Sequence, residues 1–328
     1  MRILILTHNE VEKLLPMQEC ISVMAQALSS LARGEMYQPL RMIVRPPDAV
    51  GLIAMMPAYR SEPEAVFGLK AICVFPENPT QGKDAHQGGV LLFSGQTGEP
   101  LALMNASAIT AIRTAAVSGV ATRLLAREDA SSLAIIGAGV QARSHLAAMA
   151  CVRPIRRARI VSRTFAHAVQ LVGEMQPHFG FPLEAVAGVS EAVSDAEIIV
   201  TATNSLQPVI QRDWIAPGTH INAVGTHSPA AREIDTATMV AASLFVDRRE
   251  STLNEAGEYL LAANEGAIGP EHIRGEIGEL LLGTVSGRTK PDEITLFKSL
   301  GIAIEDLAAA AYLYQKANEK QIGTWVEF

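Results

Sequence analysis

Apolar residues along this chain follow three successive rhythms. At the start, ILIL at 3–6 predicts a short strand. Asn9, followed by Val11, Leu14 and Leu15, then predicts a capped helix running to about Ala32 and ended by Gly34. From Met42 to Gly98 short β-branched or apolar runs (RMIVR, GLIAMMP, FGLKAICVF, GGVLLFS) alternate with Pro, Gly and Asn clusters. That is the pattern of a mainly antiparallel sheet, with QTGEP (96–100) as its clearest hairpin turn. Helical spacing resumes at Asn105 and lasts to Ala126.

The third rhythm fills the rest of the chain. SLAIIGAGVQARSH, ARIVSRTF, AEIIVTATNS, THINAVG and SLFVD are apolar, β-branched runs, each ending in a turn and most leading into a helix. Parallel sheets with crossover helices are written this way. After TLFKSLG (295–301) a last helix, about 302–320, is expected to pack back on the first domain with no strand after it. The predicted fold class is therefore α/β, a Rossmann doubly wound domain at 121–301 plus an α+β domain built from 1–120 and 302–328.

Composition narrows the function. A chain of 328 residues, 48% apolar and 19% charged, can bury a substantial core. The net charge of −7, without any dense Lys/Arg run, argues against nucleic acid or an anionic membrane surface as partner and favours a small molecule. Cys20, Cys73 and Cys151 are widely spaced among apolar neighbours and are expected to be reduced core residues, which suits a cytoplasmic protein. The opening apolar run is too short for a signal-peptide core or a membrane span. The Ala-rich stretches 102–126 and 305–316 carry charges at helical spacing, as packed amphipathic helices do. No Cys, His or carboxylate cluster has metal-site spacing, so no metal is expected.

IIGAGVQARSH places Gly137, Gly139 and Ala142 as G-x-G-x-x-A between a buried strand and a helix. The first Gly permits the tight turn, the second lets a pyrophosphate approach the backbone, and the small third residue lets helix and strand pack closely. Val140 and Gln141 lie on the same turn and join them as cofactor contacts. The end of the next strand normally distinguishes the two nicotinamide dinucleotides, since an acid there binds the ribose diol and a cation accepts the extra phosphate. Here it is Ser162, Arg163, Thr164, so NADPH is expected over NADH, although a solvated surface arginine would look the same.

The strings GLKAICVFPENP, TGEPLALMNASAITAIRTAAVSGVATRLLAR, IIGAGVQA, INAVG and TLFKSLGIAIED, spread over both domains, resemble the ornithine cyclodeaminase and mu-crystallin family. That family includes ketimine reductases and archaeal-type alanine dehydrogenases. The resemblance implies a homodimer built through the first domain, with an imino or amino acid substrate held between that domain and the nicotinamide. It maps carboxylate-binding cations onto Arg41, Lys70 and Arg113, and further cofactor contacts onto Thr114, Thr203, Ala223, Val224, Gly225 and Lys298. Chemistry asks for such cations independently, because two or three of them in a partly desolvated site can hold an α-carboxylate and so orient the α-carbon.

Two departures from the family pattern redirect the expectation. Members that cyclise ornithine carry carboxylates where this chain has Ala54 and His227, so the base for deaminating hydrolysis is missing. Ala85, His86 and Gln87 match a step shared with mu-crystallin-like ketimine reductases. The expected activity is thus reduction of small α-imino acids, with Lys70, His86 or His227 as proton donor. His227 follows the fourth strand of the doubly wound sheet at its carboxyl end, where such folds place ligands; it is either a substrate or proton-transfer residue or a turn histidine bonded to its neighbours. An amino acid dehydrogenase is the second enzyme reading, and a non-enzymatic binding protein the rival from another class.

Overall fold

The computed structural model describes residues 1–328, apart from the side chain of Pro79. In chain order its strands begin with β1 (Arg2–Leu6), β2 (Met36–Tyr37), β3 (Met42–Val44), β4 (Leu52–Arg60), β5 (Val66–Val74), β6 (His86–Ser94) and β7 (Pro100–Asn105). They continue with β8 (Ser132–Ile136), β9 (Arg157–Val161), β10 (Leu183–Ala185), β11 (Ile198–Thr201), β12 (His220–Ala223), β13 (Ser243–Val246), β14 (Ile273–Glu276), β15 (Thr295–Lys298) and β16 (Thr324–Glu327). The helices are α1 (His8–Leu14), α2 (Met17–Ala32), α3 (Ala106–Leu125), α4 (Val140–Val152), α5 (Phe165–Met175) and α6 (Val189–Val193), then α7 (Thr236–Ala241), α8 (Arg249–Glu255), α9 (Gly257–Asn264), α10 (Ile277–Leu281) and α11 (Ala303–Lys320). The chain divides into two compact units, residues 1–114 with 301–328, and residues 115–300.

In the first unit one mixed sheet runs β16-β1-β7-β6-β5-β4-β2, with β3 also on β4. Its long central pairs, β4 with β5 and β5 with β6, are antiparallel. The QTGEP hairpin closes where Gly98 takes φ +75°, a value that favours glycine. Side chains alternate across β5, so Val66, Gly68, Lys70 and Ile72 share the buried face, on which α11 packs. Gly68 lets α11 come close: a Cβ there would fall 2.8 Å from Leu307 Cδ1.

Several expectations are corrected here. The helix from Asn9 to Ala32 is two helices, because Pro16 disfavours helical backbone at Leu15. The cap is Thr7, whose N–H donates to the Glu10 carboxylate at 2.8 Å, not Asn9. A strand does follow the last helix: β16 pairs antiparallel with β1, Ile3 opposite Val326. Cys151 is exposed and Cys73 half-buried, leaving only Cys20 in the core. Nor is α3 amphipathic throughout, since residues 113–122 are all buried. It is the one helix among the described residues long and apolar enough to cross a membrane, yet 72% of that window is buried inside the protein, as in a core helix.

In the second unit the sheet order is β10-β9-β8-β11-β12-β15-β13-β14 and every pairing is parallel. Each residue of β8, β11, β12 and β15 is buried, which is why β8 and β11 appear as nearly unbroken apolar runs, while β12 and β15 also enclose His220, Asn222, Thr295 and Lys298. Ile199, Ile221, Leu244 and Leu296 form the centre of this core, each fully buried side chain contributing about 1.5–3 kcal/mol. Strand order reverses between β8 and β11, the switch point outside whose carboxyl ends doubly wound folds bind ligands. The three-residue β10 was not anticipated, so β12, the strand before His227, is the fifth of this unit and not the fourth.

Candidate active site

Within the first unit, four charged side chains from three elements meet in the interior. Lys70 on β5 places its ammonium 2.8 Å from Asp306 Oδ2, and Arg113 on α3 donates from Nε to Asp306 Oδ1 at 3.1 Å. Arg113 also reaches Glu305 Oε2 at 2.5 Å. All four are nearly inaccessible, with side-chain exposures of 0–4%. Both carboxylates belong to the first turn of α11, where negative charge is also favoured by the helix dipole. The turn before that helix is fixed by Gly301, at φ +68°, where a Cβ would lie 2.2 Å from an Arg113 guanidinium nitrogen. Its carbonyl accepts a hydrogen bond from Arg41 at 2.9 Å.

The electrostatics of this group follow from burial. Desolvation lowers the Lys70 pKa to about 8, helped by the neighbouring charges of Arg113 and Arg41 and opposed by Asp306. Burial alone would push the Asp306 carboxyl up, but Arg113 and Lys70 together hold it below its ordinary value. Lys70 is therefore an ammonium that can give up its proton near neutrality. His86 on β6 is exposed; the protein atoms around its ring and the Lys70 charge both depress its pKa, with Asp84 acting the other way.

In the second unit, Gly137 adopts φ +122°, and a Cβ there would sit 2.4 Å from the Ala202 carbonyl oxygen. Gly139 caps α4 with extended backbone, and a Cβ on it meets nothing within 4 Å. Ala142 is fully buried. A tight turn, open space over the second glycine and a following helix N-terminus are what a pyrophosphate needs, so these residues fit a dinucleotide. Gly139→Ala keeps permitted backbone while filling that space. It is expected to leave the melting temperature unchanged and weaken dinucleotide binding on the order of tenfold, read by fluorescence titration.

At the carboxyl ends of β11 and β12 lies a second buried polar network. Glu233 accepts hydrogen bonds from Thr201 Oγ1 (2.9 Å), Thr203 N (2.6 Å), Thr203 Oγ1 (2.7 Å) and Gly225 N (2.7 Å), tying the two strand ends together. Burial pushes its carboxyl up, with Lys298 pulling the other way. Glu258 accepts from Thr226 Oγ1 (2.5 Å) and from the Glu233 N–H (3.1 Å), while Lys298 lies 3.0 Å from its other oxygen and donates to the Thr226 carbonyl at 2.8 Å. Both ends of segment 226–233, which carries His227, are thus held on one carboxylate.

Arg41, Lys70 and Arg113 all belong to the first unit, with Lys70 and Arg113 on one carboxylate and Arg41 on Gly301. Thr114 is buried beside Arg113 in α3. Val140 is exposed and Gln141 half-buried on the first turn of α4, Thr203 is half-buried after β11, and Ala223 and Val224 are buried at the end of β12. His227 is exposed just beyond the anchored Thr226. Lys298, expected to touch the cofactor, is 1% exposed and engaged with Glu258 and Thr226, so its visible task is to brace this loop. Sequence reasoning missed Glu233, Glu258, Glu305 and Asp306. Glu258, Glu305 and Asp306 stand beside apolar stretches, which was the available signal, whereas Glu233, set between Arg232 and Asp235, had none.

Residues 1–321 match the model of the ornithine cyclodeaminase/mu-crystallin family. Delta(1)-pyrroline-2-carboxylate reductase of Bacillus cereus is 38% identical over 326 residues, covering 99% of this chain and 100% of that protein. The solved structure of Thermococcus litoralis Delta(1)-pyrroline-2-carboxylate reductase in complex with NADH and L-proline matches at TM-score 0.94 and 39% identity, over 98% of this chain and 99% of that one. An archaeal alanine dehydrogenase dimer with bound NAD matches at TM-score 0.93 and 34% identity, over 100% of both chains.

Both of those structures hold the cofactor without the extra phosphate, which overturns the expectation of NADPH. The physical reason is local: Arg163 and Thr164 are exposed, and among the described residues no hydrogen bond or ion pair joins the side chains of Ser162, Arg163 and Thr164 into a fork. A lone solvated arginine at that strand end is as compatible with a bare ribose as with a phosphate. A family model spanning nearly the whole sequence, together with relatives this similar along their full length, makes the chain a member of the ornithine cyclodeaminase/mu-crystallin family.

Proposed function

We propose that this chain uses NADH to reduce small cyclic α-imino acids, with Delta(1)-pyrroline-2-carboxylate as the first substrate to test. It is a nicotinamide-dependent oxidoreductase acting on C=N or amine groups, and proline is the product of that first substrate. One observation carries the reading: the Lys70 ammonium lies buried 2.8 Å from Asp306, the carboxylate it shares with Arg113, in the unit that also holds Arg41, and burial lowers its pKa. Arg41 and Arg113 bind the substrate carboxylate as fixed guanidinium donors. Lys70 gives its proton to the imine nitrogen, which makes the neighbouring carbon the better electrophile. When bound on the Gly137–Gly139 turn, NADH supplies the hydride. His86, depressed in pKa and on the strand next to Lys70, is the rival donor within the same unit, and His227 the rival in the other.

Hydrolytic deamination is disfavoured, since Ala54 lies buried on β4 and His227 takes the second acidic position. We further propose a homodimer, supported by the dimeric alanine dehydrogenase relative and by the exposed apolar side chains of Met42, Ile43 and Val44. The three free cysteines support a cytoplasmic setting.

The test is loss of NADH absorbance with Delta(1)-pyrroline-2-carboxylate, followed by chiral analysis of the proline formed. Pyruvate plus ammonia is run in parallel, because similarity to the alanine dehydrogenase favours that as the second reading. NADH left unconsumed with the cyclic imine while pyruvate and ammonia are turned over would replace the first reading by the second.

A further inference from the structure

Lys70 and Arg113 do not hold their places alone. They come from a strand and a helix more than forty residues apart in the chain, and a single carboxylate from a third element touches both. Asp306 is 1% exposed, in a helix whose residues 303–310 are all buried, so it cannot swing to solvent. Glu305 takes the other arm of Arg113, and the backbone at Gly301 runs so close to the same guanidinium that a Cβ there would fall 2.2 Å from it.

We propose that Asp306 is a positioning residue for imine reduction, its two oxygens fixing Lys70 and Arg113 as a pair. The inference rests on the reading of Lys70 as proton donor. The charged groups around Lys70 are Asp306 on α11, Arg113 on α3, Arg41 ahead of β3 and His86 on β6, with Glu305 beyond Arg113. Of those acting on the Lys70 proton, burial, Arg113 and Arg41 expel it, and Asp306 retains it. Without the Asp306 charge, a larger share of Lys70 enters the reaction as neutral amine with no proton to donate, and its stem is free to leave the guanidinium it now faces.

The experiment compares wild type, Asp306→Asn and Asp306→Glu in two readouts against pH. One is kcat/KM with NADH and Delta(1)-pyrroline-2-carboxylate; the other is acetic anhydride labelling of the Lys70 amine, followed by peptide mass analysis, which needs no turnover. In wild type both change near the Lys70 pKa of about 8. Asp306→Asn is expected to move both midpoints down by about one pH unit or more, and Asp306→Glu to restore most of the shift. Should the Asn protein fail to fold, Asp306→Ser, which admits a water, is read in the same way. A folded neutral variant with unmoved labelling and an unmoved rate profile overturns the inference. An inactive wild type overturns imine reduction instead, and the labelling midpoints then decide whether Asp306 governs Lys70.

Discussion

With methionine in place of Lys70, turnover of the imino acid falls by about 10²–10⁴-fold, the range over which a positioned general acid contributes. Methionine keeps most of the apolar stem and removes the charge, so the loss isolates the ammonium. The wild-type rate declines as the pH rises past about 8, where Lys70 gives up its proton, and the variant lacks that limb. Stability carries the same signature. Lys70 titrates near 8 when folded and at its ordinary 10.5 when unfolded, so between those values the unfolded chain holds the extra proton. Stability of the wild type therefore rises with pH across that window, and the methionine variant is flat there by comparison. Steady-state rates and denaturant unfolding at several pH values check both statements; turnover within tenfold of wild type would remove Lys70 from the chemistry.

Arg113→Met is expected to cost about 3–5 kcal/mol of folding stability, because it strands two buried carboxylates with only Lys70 to answer them. The sign of the pH effect follows from Asp306. Its folded pKa is held below the unfolded one by Arg113 and Lys70, so the stability it contributes is present above the carboxylate range and lost as the pH falls through it. In the variant the carboxylates accept protons more readily, and the gap to wild type narrows on acidification. Urea unfolding measures this; a loss below about 1 kcal/mol at neutral pH would mean that the ion group relaxes or admits water once the guanidinium is gone.

Much of the second unit was legible in the sequence because its physics is local. β8 and β11 are buried on both faces and so appear as nearly unbroken apolar runs, and the turn at Gly137 needs a positive φ that glycine supplies most cheaply. The elements that escaped had no such local mark. All four residues of β16 are exposed, leaving no alternation to detect, and β10 is three residues long. The break at Pro16 does have a local mark, but apolar positions at helical spacing on either side of it mask the interruption. The carboxylates were missed for a different reason: Arg113 and Asp306 are 193 positions apart, and no spacing rule reaches across that distance. The pair Glu305, Asp306 standing in IAIEDLAAAA was the usable hint, since charges in so apolar a stretch are enclosed only when paired. At the cofactor, Arg163 misled because a cation at a strand end announces a phosphate only when other donors converge with it.

The first unit is assembled from both ends of the chain, whereas the second is one uninterrupted stretch. During synthesis the whole of residues 115–300 is made before α11 and β16. Lys70 and Arg113 have by then long since emerged, but the acids that neutralise them have not. Those two side chains must stay hydrated until α11 has been made, so the first unit is the last to complete its interior in a nascent chain.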